Sequence, residues 1–181
     1  EHYFPSGIFS PVPKKPISYA LSIIDKLDTL VGFYLINEKP TSSKDPFALR
    51  RASIGLLRTI IENNLLIKLR DLIDYSIKIY LDQGVKQENN EVTKDLMKFF
   101  RERMKNILKD RKIRTDIVEA SISSHLSDNF LELYKKTVIM NKFISKDLGK
   151  NALSTYKRAS NILDQEKLVS KNGPDAVLFK H

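Results

Sequence analysis

Two arginines in the first third of the sequence have the type and spacing needed to contact phosphates. Arg51 and Arg58 lie seven residues apart, shortly after the dipeptide Asp45-Pro46. On an α-helix that spacing puts both side chains on one face, two turns apart. A guanidinium fork matches phosphate oxygens, so the pair is a candidate for phosphate binding. The same side chains also fit a solvated helix face or salt bridges to Glu62 and Asp71.

A second basic pair, Lys157 and Arg158, lies near the end of the sequence, and Arg50 adds a third arginine to the first group. Both interpretations, phosphate contact and solvated surface, stay open for these residues as well. The basic residues are otherwise spread along the chain without forming a block.

Carboxylates offer less chemistry. Asp25 and Asp28 lie three residues apart, so they share a helix face and could contribute to one cation site. A solvated polar face that includes Lys26 fits the same pattern. Asp45 is expected to cap a helix by accepting hydrogen bonds from backbone N–H groups that follow it.

The sequence lacks the motifs of a self-contained active site. It has no cysteine, and its three histidines lie far apart at positions 2, 125 and 181. No HExxH, GxGxxG, P-loop or GxSxG pattern is present. Disulfides, thiolate catalysis and zinc sites with cysteine ligands are therefore excluded.

Composition favours a globular chain with anionic partners. Its 181 residues include 31 Lys+Arg against 22 Asp+Glu, giving a net charge of +9, and 41% are hydrophobic. This charge suits nucleic acid, although solvated basic helix faces would account for it equally well. No apolar run is long enough to span a bilayer, so no membrane role is expected. The chain begins EHYFP, without Met or a signal peptide, and is interpreted as a piece of a longer polypeptide.

These residues must be positioned by helices. Apolar residues recur at helical spacing and there are only six glycines, which predicts an all-α chain. After a Pro-rich lead, the first helix should begin near Ile17 and bury a stripe through Leu21, Ile24 and Leu27 to Tyr34. The next helix should have Asp45 as its cap and Pro46 in its first turn, and a further helix should run from about 65 to 81 and be stopped by Gly84. Another should begin near Val92. Thr115 or Asp116 and then Ser127 or Asp128 should cap two more helices, and a last helix should follow an interruption at Gly149.

Two long stretches carry a family resemblance. Residues 27–33 (LDTLVGF) and 39–52 (KPTSSKDPFALRRA) resemble the signature of the bacterial glycyl-tRNA synthetase beta subunit. The lead EHYFP and residues 156–163 (YKRASNIL) are similar to further family stretches, in the same order. Ser42 stands where the family commonly has glycine.

The resemblance implies an all-α, multi-helix array: the late part of an HD-like helical domain that runs into a DALR-type anticodon-binding bundle. The implied division is 1–62 for the HD-like region with the signature loop and helix, 63–148 for a helical middle region, and 149–181 for the start of the bundle. Asp25 matches the position of the last metal-binding aspartate of HD phosphohydrolases, but the histidine partners are not in this chain. No catalytic residue, metal or cofactor is therefore expected in it.

The resemblance also implies a function. Together with an alpha subunit that activates glycine, the family's assembly attaches glycine to its tRNA in the cytoplasm, using ATP and Mg. This chain would be a tRNA-binding scaffold. The side chains expected on tRNA phosphates are Lys44, Arg50, Arg51, Arg58, Lys157 and Arg158. The alternatives are an HD-type phosphohydrolase fragment, which rests on Asp25, and a purely structural module that bridges subunits.

Overall fold

The computed structural model describes residues 3–7, 10–41, 43–124 and 128–165, and in these ranges it contains seven α-helices and no strand. The prediction of an all-α chain is confirmed. The helices are α1 (Pro16–Leu35), α2 (Leu49–Glu62), α3 (Leu69–Asp82), α4 (Val92–Asp110), α5 (Thr115–Ser124), α6 (Phe130–Ile144) and α7 (Asp147–Gln165).

Helix α4 is at the centre of the packing. It contacts α1, α2, α3 and α5, while α1 packs mainly on α2. The largest fully buried side chain is that of Phe100 on α4, whose ring centroid lies 6.0 Å from that of Phe130 on α6. Leu96 and Met104, one turn to either side of Phe100, are also fully buried. These side chains make the apolar face that fixes α4 against its neighbours.

The Pro-rich lead is residues 4–16, of which 4–7 and 10–16 are described, and this described part is held by side-chain donors. The Ser22 hydroxyl donates to the carbonyl oxygen of Phe4 at 2.6 Å, and the Asn63 amide donates to that of Pro13 at 3.0 Å. Prolines lack an N–H group and cannot extend a helical ladder, and the carbonyls of Phe4 and Pro13 accept hydrogen bonds from the side chains of Ser22 and Asn63 instead.

The lead changes which face of α1 is buried. Ile17 and Ile24 are 77% and 62% exposed, whereas Ser22 and Lys26 are buried. The predicted stripe is therefore wrong over the first two turns of α1 and correct from Leu27 onwards. Hydrogen bonds explain this choice of buried face: Ser22 and Lys26 both donate to the Phe4 carbonyl oxygen, so the face of α1 that carries them lies against the lead. Burial lowers the pKa of the Lys26 ammonium, which the neighbouring Asp25 carboxylate partly opposes.

Helix α6 is capped by Asn129 rather than by Asp128. The Asn129 side-chain oxygen accepts the backbone N–H of Glu132 at 3.1 Å, the usual N-cap hydrogen bond. Asp128 pairs with Arg70 instead, with 2.9 Å between its Oδ2 and the arginine Nε. Ser127, the other predicted cap, lies outside the described residues.

The prediction that Gly149 interrupts the helical pattern before the last helix is wrong, because Gly149 lies in the first turn of α7. A Cβ atom at this position would overlap the carbonyl group of Phe143 and lie 2.8 Å from the Cα of Ile144. The glycine therefore permits a close approach between the end of α6 and the start of α7.

The chain divides into two compact units, residues 1–140 and 141–181. Helices α1 to α5 belong to the first unit, and α7 belongs to the second. Within the described ranges, no helix combines the length and apolarity that a bilayer-crossing segment requires.

Candidate nucleic-acid interface

Residues 36–48 are here called the signature loop, and its described residues, 36–41 and 43–48, are held by contacts at several points. Lys39 Nζ lies 2.5 Å from Asp95 Oδ2 on α4. The ring of Phe47 stacks on that of Phe33 with centroids 4.0 Å apart. The Thr41 N–H donates to the Lys44 carbonyl at 2.9 Å, closing a turn. The loop is thus tied to both α1 and α4.

Asp45 caps α2 from outside the helix. Its two carboxylate oxygens accept the N–H groups of Leu49 at 2.8 Å and Arg50 at 3.1 Å. The prediction that Asp45 accepts from the following backbone is confirmed, but the prediction that α2 begins at Pro46 is wrong. The helix begins at Leu49, and the N-cap residue Ala48 has a left-handed φ of 56°. With a turn at Pro46 in place of a helix start, the side chain of the next residue, Phe47, stacks on the Phe33 ring.

The predicted phosphate-binding residues of this region divide into two pairs by their contacts. Lys44 and Arg51 are exposed, and no carboxylate of the described residues lies within ion-pair distance of either. The Arg50 guanidinium instead donates to the carbonyl oxygen of Thr41. Arg50 therefore holds the signature loop, and Lys44 and Arg51 present their charges to solvent.

Arg58 is bound to other residues of the first unit. Its Nε lies 2.9 Å from Glu62 Oε1, and one terminal nitrogen donates to the Gly7 carbonyl oxygen at 3.1 Å. Its side chain is only 14% exposed. The salt bridge to Glu62, one of the two interpretations left open, is confirmed. A phosphate at Arg58 would have to displace these contacts, so its role in phosphate binding stays a prediction.

Asp95 links the signature loop to α4. Besides Lys39, it accepts a hydrogen bond from the Asn89 amide at 3.2 Å. The Lys39 ammonium is the main reason that the pKa of the Asp95 carboxyl is lowered from its usual range. Lys39 and Asp95 are 56 residues apart in the sequence, and no local pattern connects them, so only the fold shows their pairing.

We expect Asp95→Asn to destabilise the chain at neutral pH by about 1 kcal/mol, because it removes a partly buried charged hydrogen bond. The folded-state pKa of Asp95 lies below its unfolded value. Its contribution to stability is therefore present above about pH 4 and is lost as the pH falls through the folded-state pKa. Urea unfolding at several pH values should show the difference between wild type and variant shrinking in acid. Asp82→Asn, an exposed site with no ion pair among the described residues, is the control. A difference that stays constant with pH would contradict this account.

The acidic pair of α1 does not gather a metal site. Asp25 and Asp28 are both exposed, and the Asp28 backbone carbonyl accepts the Tyr80 hydroxyl at 3.2 Å. Within the described ranges, no three His, Cys, Asp or Glu side chains come together as metal ligands. No observation favours the phosphohydrolase alternative, and Asp25 as a ligand stays an untested prediction.

Sequence comparison decides the family. The family model described as the glycyl-tRNA synthetase beta subunit matches residues 1–123, which include the signature loop and helices α1 to α4. The chain belongs to the glycyl-tRNA synthetase beta subunit family. The resemblance of residues 27–33 and 39–52 to the family signature is thereby confirmed as membership.

Curated relatives agree with the family model. The chain is 38% identical over 164 residues to the glycine–tRNA ligase beta subunit of Ruegeria sp. (strain TM1040), covering 91% of this chain and 22% of the relative. The corresponding protein of Rhodospirillum centenum is 38% identical over 168 residues, or 92% and 23%. That of Dinoroseobacter shibae is 35% identical over 189 residues, or 91% and 26%. The chain thus spans about a quarter of the length of these relatives.

The second predicted basic pair lies beyond the region matched by the glycyl-tRNA synthetase beta subunit model. Lys157 and Arg158 are on α7, in the unit of residues 141–181, and both are exposed. Among residues 3–163 that the structure describes, no carboxylate is within ion-pair distance of either. Their exposure suits a phosphate contact and a solvated surface equally well.

A further group of cations, not identified from the sequence, lies in the region that matches the glycyl-tRNA synthetase beta subunit model. Lys94, Lys98 and Arg101 of α4 and Arg70 of α3 line a cleft of about 640 Å³. The spacing of four and then three residues along α4 was an available signal, because it places three cations on one helix face. Only the packing of α3 and α5 against α4 turns that face into the wall of a cleft.

Proposed function

We propose that the chain is a tRNA-binding scaffold portion of the beta subunit of a glycine–tRNA ligase. The observation that carries the proposal is membership of the glycyl-tRNA synthetase beta subunit family over residues 1–123. The net charge of +9 and the exposed cations Lys44 and Arg51 support it.

The signature loop suits a phosphate contact because its geometry is set before any ligand arrives. The Arg50 guanidinium and the Asp45 carboxylate hold the loop and the start of α2, so little order has to be gained on binding. Lys44 and Arg51 then act on the phosphate backbone, where they contribute affinity rather than sequence recognition. Such binding weakens with salt because it depends on the release of counterions.

The whole enzyme's activity follows as part of the same proposal. In the cytoplasm, the beta subunit would assemble with an alpha subunit, and the assembly would attach glycine to its tRNA with ATP and Mg. This portion would provide tRNA backbone contacts and supply no acid, base or nucleophile. The HD-like and DALR-like divisions at residues 1–62, 63–148 and 149–181 belong to this proposal as well.

We expect the double variant Lys44→Ala/Arg51→Ala to bind glycine tRNA about tenfold more weakly at low salt, since it removes two phosphate contacts. Fluorescence anisotropy with labelled tRNA measures this directly. Lys157→Ala/Arg158→Ala tests the α7 pair in the same way. Lys78→Ala/Lys135→Ala, two exposed helix positions with no ion pair among the described residues, removes equal charge elsewhere and is the control.

Equal affinity of the Lys44/Arg51 variant and wild type would contradict the role of the signature loop. Thermal melts on all three double variants separate loss of binding from loss of folding. Because every substituted side chain is exposed, the melting temperatures should stay close to that of wild type.

A structural module that bridges subunits is the second candidate, and one observation favours it. A groove of about 310 Å³ between α1 and the segment before α3 is lined mainly by apolar side chains, among them Ile24 and Leu66. These two side chains are 62% and 80% exposed. If wild type binds no tRNA even at low salt, this candidate replaces the scaffold proposal.

A further inference from the structure

We propose that the cleft between α3, α4 and α5 is a binding site for the sugar–phosphate backbone of an RNA strand. This proposal rests on the proposed tRNA-binding function and assigns it a second site, separate from the signature loop. The cleft is defined by the cationic side chains of Arg70, Lys94, Lys98 and Arg101.

The free charge in the cleft is concentrated at Lys98 and Arg101. No carboxylate of the described residues lies within ion-pair distance of either side chain. Lys94 is paired with Glu91 at 2.9 Å, and Arg70 is paired with Asp128 at 2.9 Å.

One acidic side chain also lines the cleft. Glu102 is shared with Lys105, whose Nζ lies 3.4 Å from its Oε1. With four cations and one carboxylate lining it, the cleft keeps a positive balance even after Glu91 and Asp128 are counted. A concave wall of one charge sign concentrates the field and attracts polyanions.

The Lys94–Glu91 pair is a weak competitor for a phosphate. The two side chains are 73% and 61% exposed, and exposed ion pairs contribute little stability, so a phosphate can take over Lys94 at small cost. Arg70 stays with Asp128, whose side chain is only 22% exposed. Lys98 and Arg101 need no such exchange.

The shape of the cleft fits a strand better than a single anion. Lys94 and Arg101, the first and last of the three α4 cations, lie seven positions apart, which is about 10 Å along the helix axis. Their positions are fixed because the opposite face of α4 carries the fully buried Leu96 and Phe100. A row of cations of this length on a rigid helix matches successive phosphates of a backbone, whereas one phosphate ion would meet only part of it.

Apolar side chains also line the cleft. Met97 is 2% exposed and Ile122 is 9% exposed, and both contribute to its lining. A sugar–phosphate strand has an anionic edge and a less polar ribose, so it presents complementary chemistry to both the cations and the apolar side chains. Because phosphate and sugar contacts carry no sequence information, the contact should be independent of sequence.

The test is binding of the 181-residue chain to glycine tRNA over a salt series from about 0.05 to 0.3 M. We expect Lys98→Ala/Arg101→Ala to reduce the slope of log Kd against log salt by about 2, one for each phosphate that the variant no longer binds. At about 0.1 M salt, Kd should rise tenfold or more. Lys98→Arg/Arg101→Lys, which keeps both charges, should bind nearly as wild type does. Lys78→Ala/Lys135→Ala should leave the slope close to that of wild type.

Each other outcome overturns the proposal in a distinguishable way. If wild type binds tRNA and the Lys98/Arg101 variant has the same Kd and slope, the cleft is not the site, while the proposed function stands. If the control loses as much affinity as the cleft variant, binding is a diffuse effect of net charge. If wild type binds no tRNA at low salt, the proposed function fails and the cleft proposal fails with it. Thermal melts and the second variant Lys98→Gln/Arg101→Gln guard against a folding defect.

Discussion

Replacing Phe100 by alanine is expected to lower the free energy of unfolding by about 3–5 kcal/mol. Phe100 is fully buried on α4, and its ring packs against that of Phe130. Because α4 packs against α1, α2, α3 and α5 and its Phe100 ring also meets Phe130 of α6, the cavity would lie where the surrounding chain has little freedom to collapse. The same helix carries the cations of the cleft on another face, so the core and the proposed RNA site share one support.

Urea unfolding monitored by circular dichroism measures this loss. Phe99→Ala is the matched comparison, because Phe99 is the adjacent phenylalanine but is only partly buried, with its ring 5.7 Å from that of Tyr34. We expect Phe99→Ala to cost clearly less than Phe100→Ala. Equal losses, or a loss at Phe100 below about 1 kcal/mol, would mean that α4 is not the centre of the core.

Gly149→Ala should open the start of α7, at a cost of about 3 kcal/mol or more. The added methyl group would lie 2.7 Å from the carbonyl carbon of Phe143 and 2.8 Å from the Cα of Ile144. Both neighbours are backbone atoms, which cannot rotate away as a side chain can. The expected result is therefore displacement or fraying of the first turn of α7, even though alanine is ordinarily the better helix former.

Hydrogen exchange of the backbone amides from 148 to 155 reports this opening locally. Protection in that segment should fall for Gly149→Ala, whereas the amides of α4 should be unaffected. Asn151→Ala adds an alanine to the same helix at an exposed position and should not reduce protection. Unchanged protection in Gly149→Ala would show that the two backbone segments are not in close contact.

The helical class and most helix ends could be predicted from the sequence, because they depend on local signals. Gly84 stops α3 with a φ of 83°, and α4 begins at Val92 as expected. Asn64 follows the end of α2 with a left-handed φ of 54°, a conformation that asparagine tolerates well. Each of these signals acts within a few residues of the chain, so it can be recognised from the sequence alone.

The errors occur where a distant part of the chain overrides a local signal. Asp45-Pro46 has the pattern of a cap and first helical turn, yet stacking of Phe47 on Phe33 accompanies a start three residues later. Ile17 and Ile24 fit an apolar stripe, but polar contacts of the lead with Ser22 select another face of α1. Neither Phe33 nor the lead is recognisable as a partner before the chain is folded.

In the candidate site, too, the residues could be predicted from the sequence but their long-range contacts could not. Residue type and spacing predicted Lys44, Arg50, Arg51 and Arg58 as phosphate-binding residues, and this stays a prediction, but the sequence did not indicate their separate contacts. The structure shows that Arg50 and Arg58 bind carbonyl oxygens of the chain itself, and that Lys44 and Arg51 are exposed. The spacing of Lys94, Lys98 and Arg101 places them on one face of α4 and could be recognised from the sequence, but the cleft could not, because its second wall comes from other helices.

The central claim is that this chain is a tRNA-binding scaffold that contacts the phosphate backbone. Its most direct test is binding of the unmodified chain to glycine tRNA and to a non-cognate tRNA across a salt series. The account predicts similar affinity for both tRNAs and a linear loss of log affinity with log salt. The slope should have a magnitude of about 3 or more, because Lys44, Arg51, Lys98 and Arg101 are each expected to contact a phosphate. No binding to either tRNA at low salt, or binding that does not change with salt, would contradict the account.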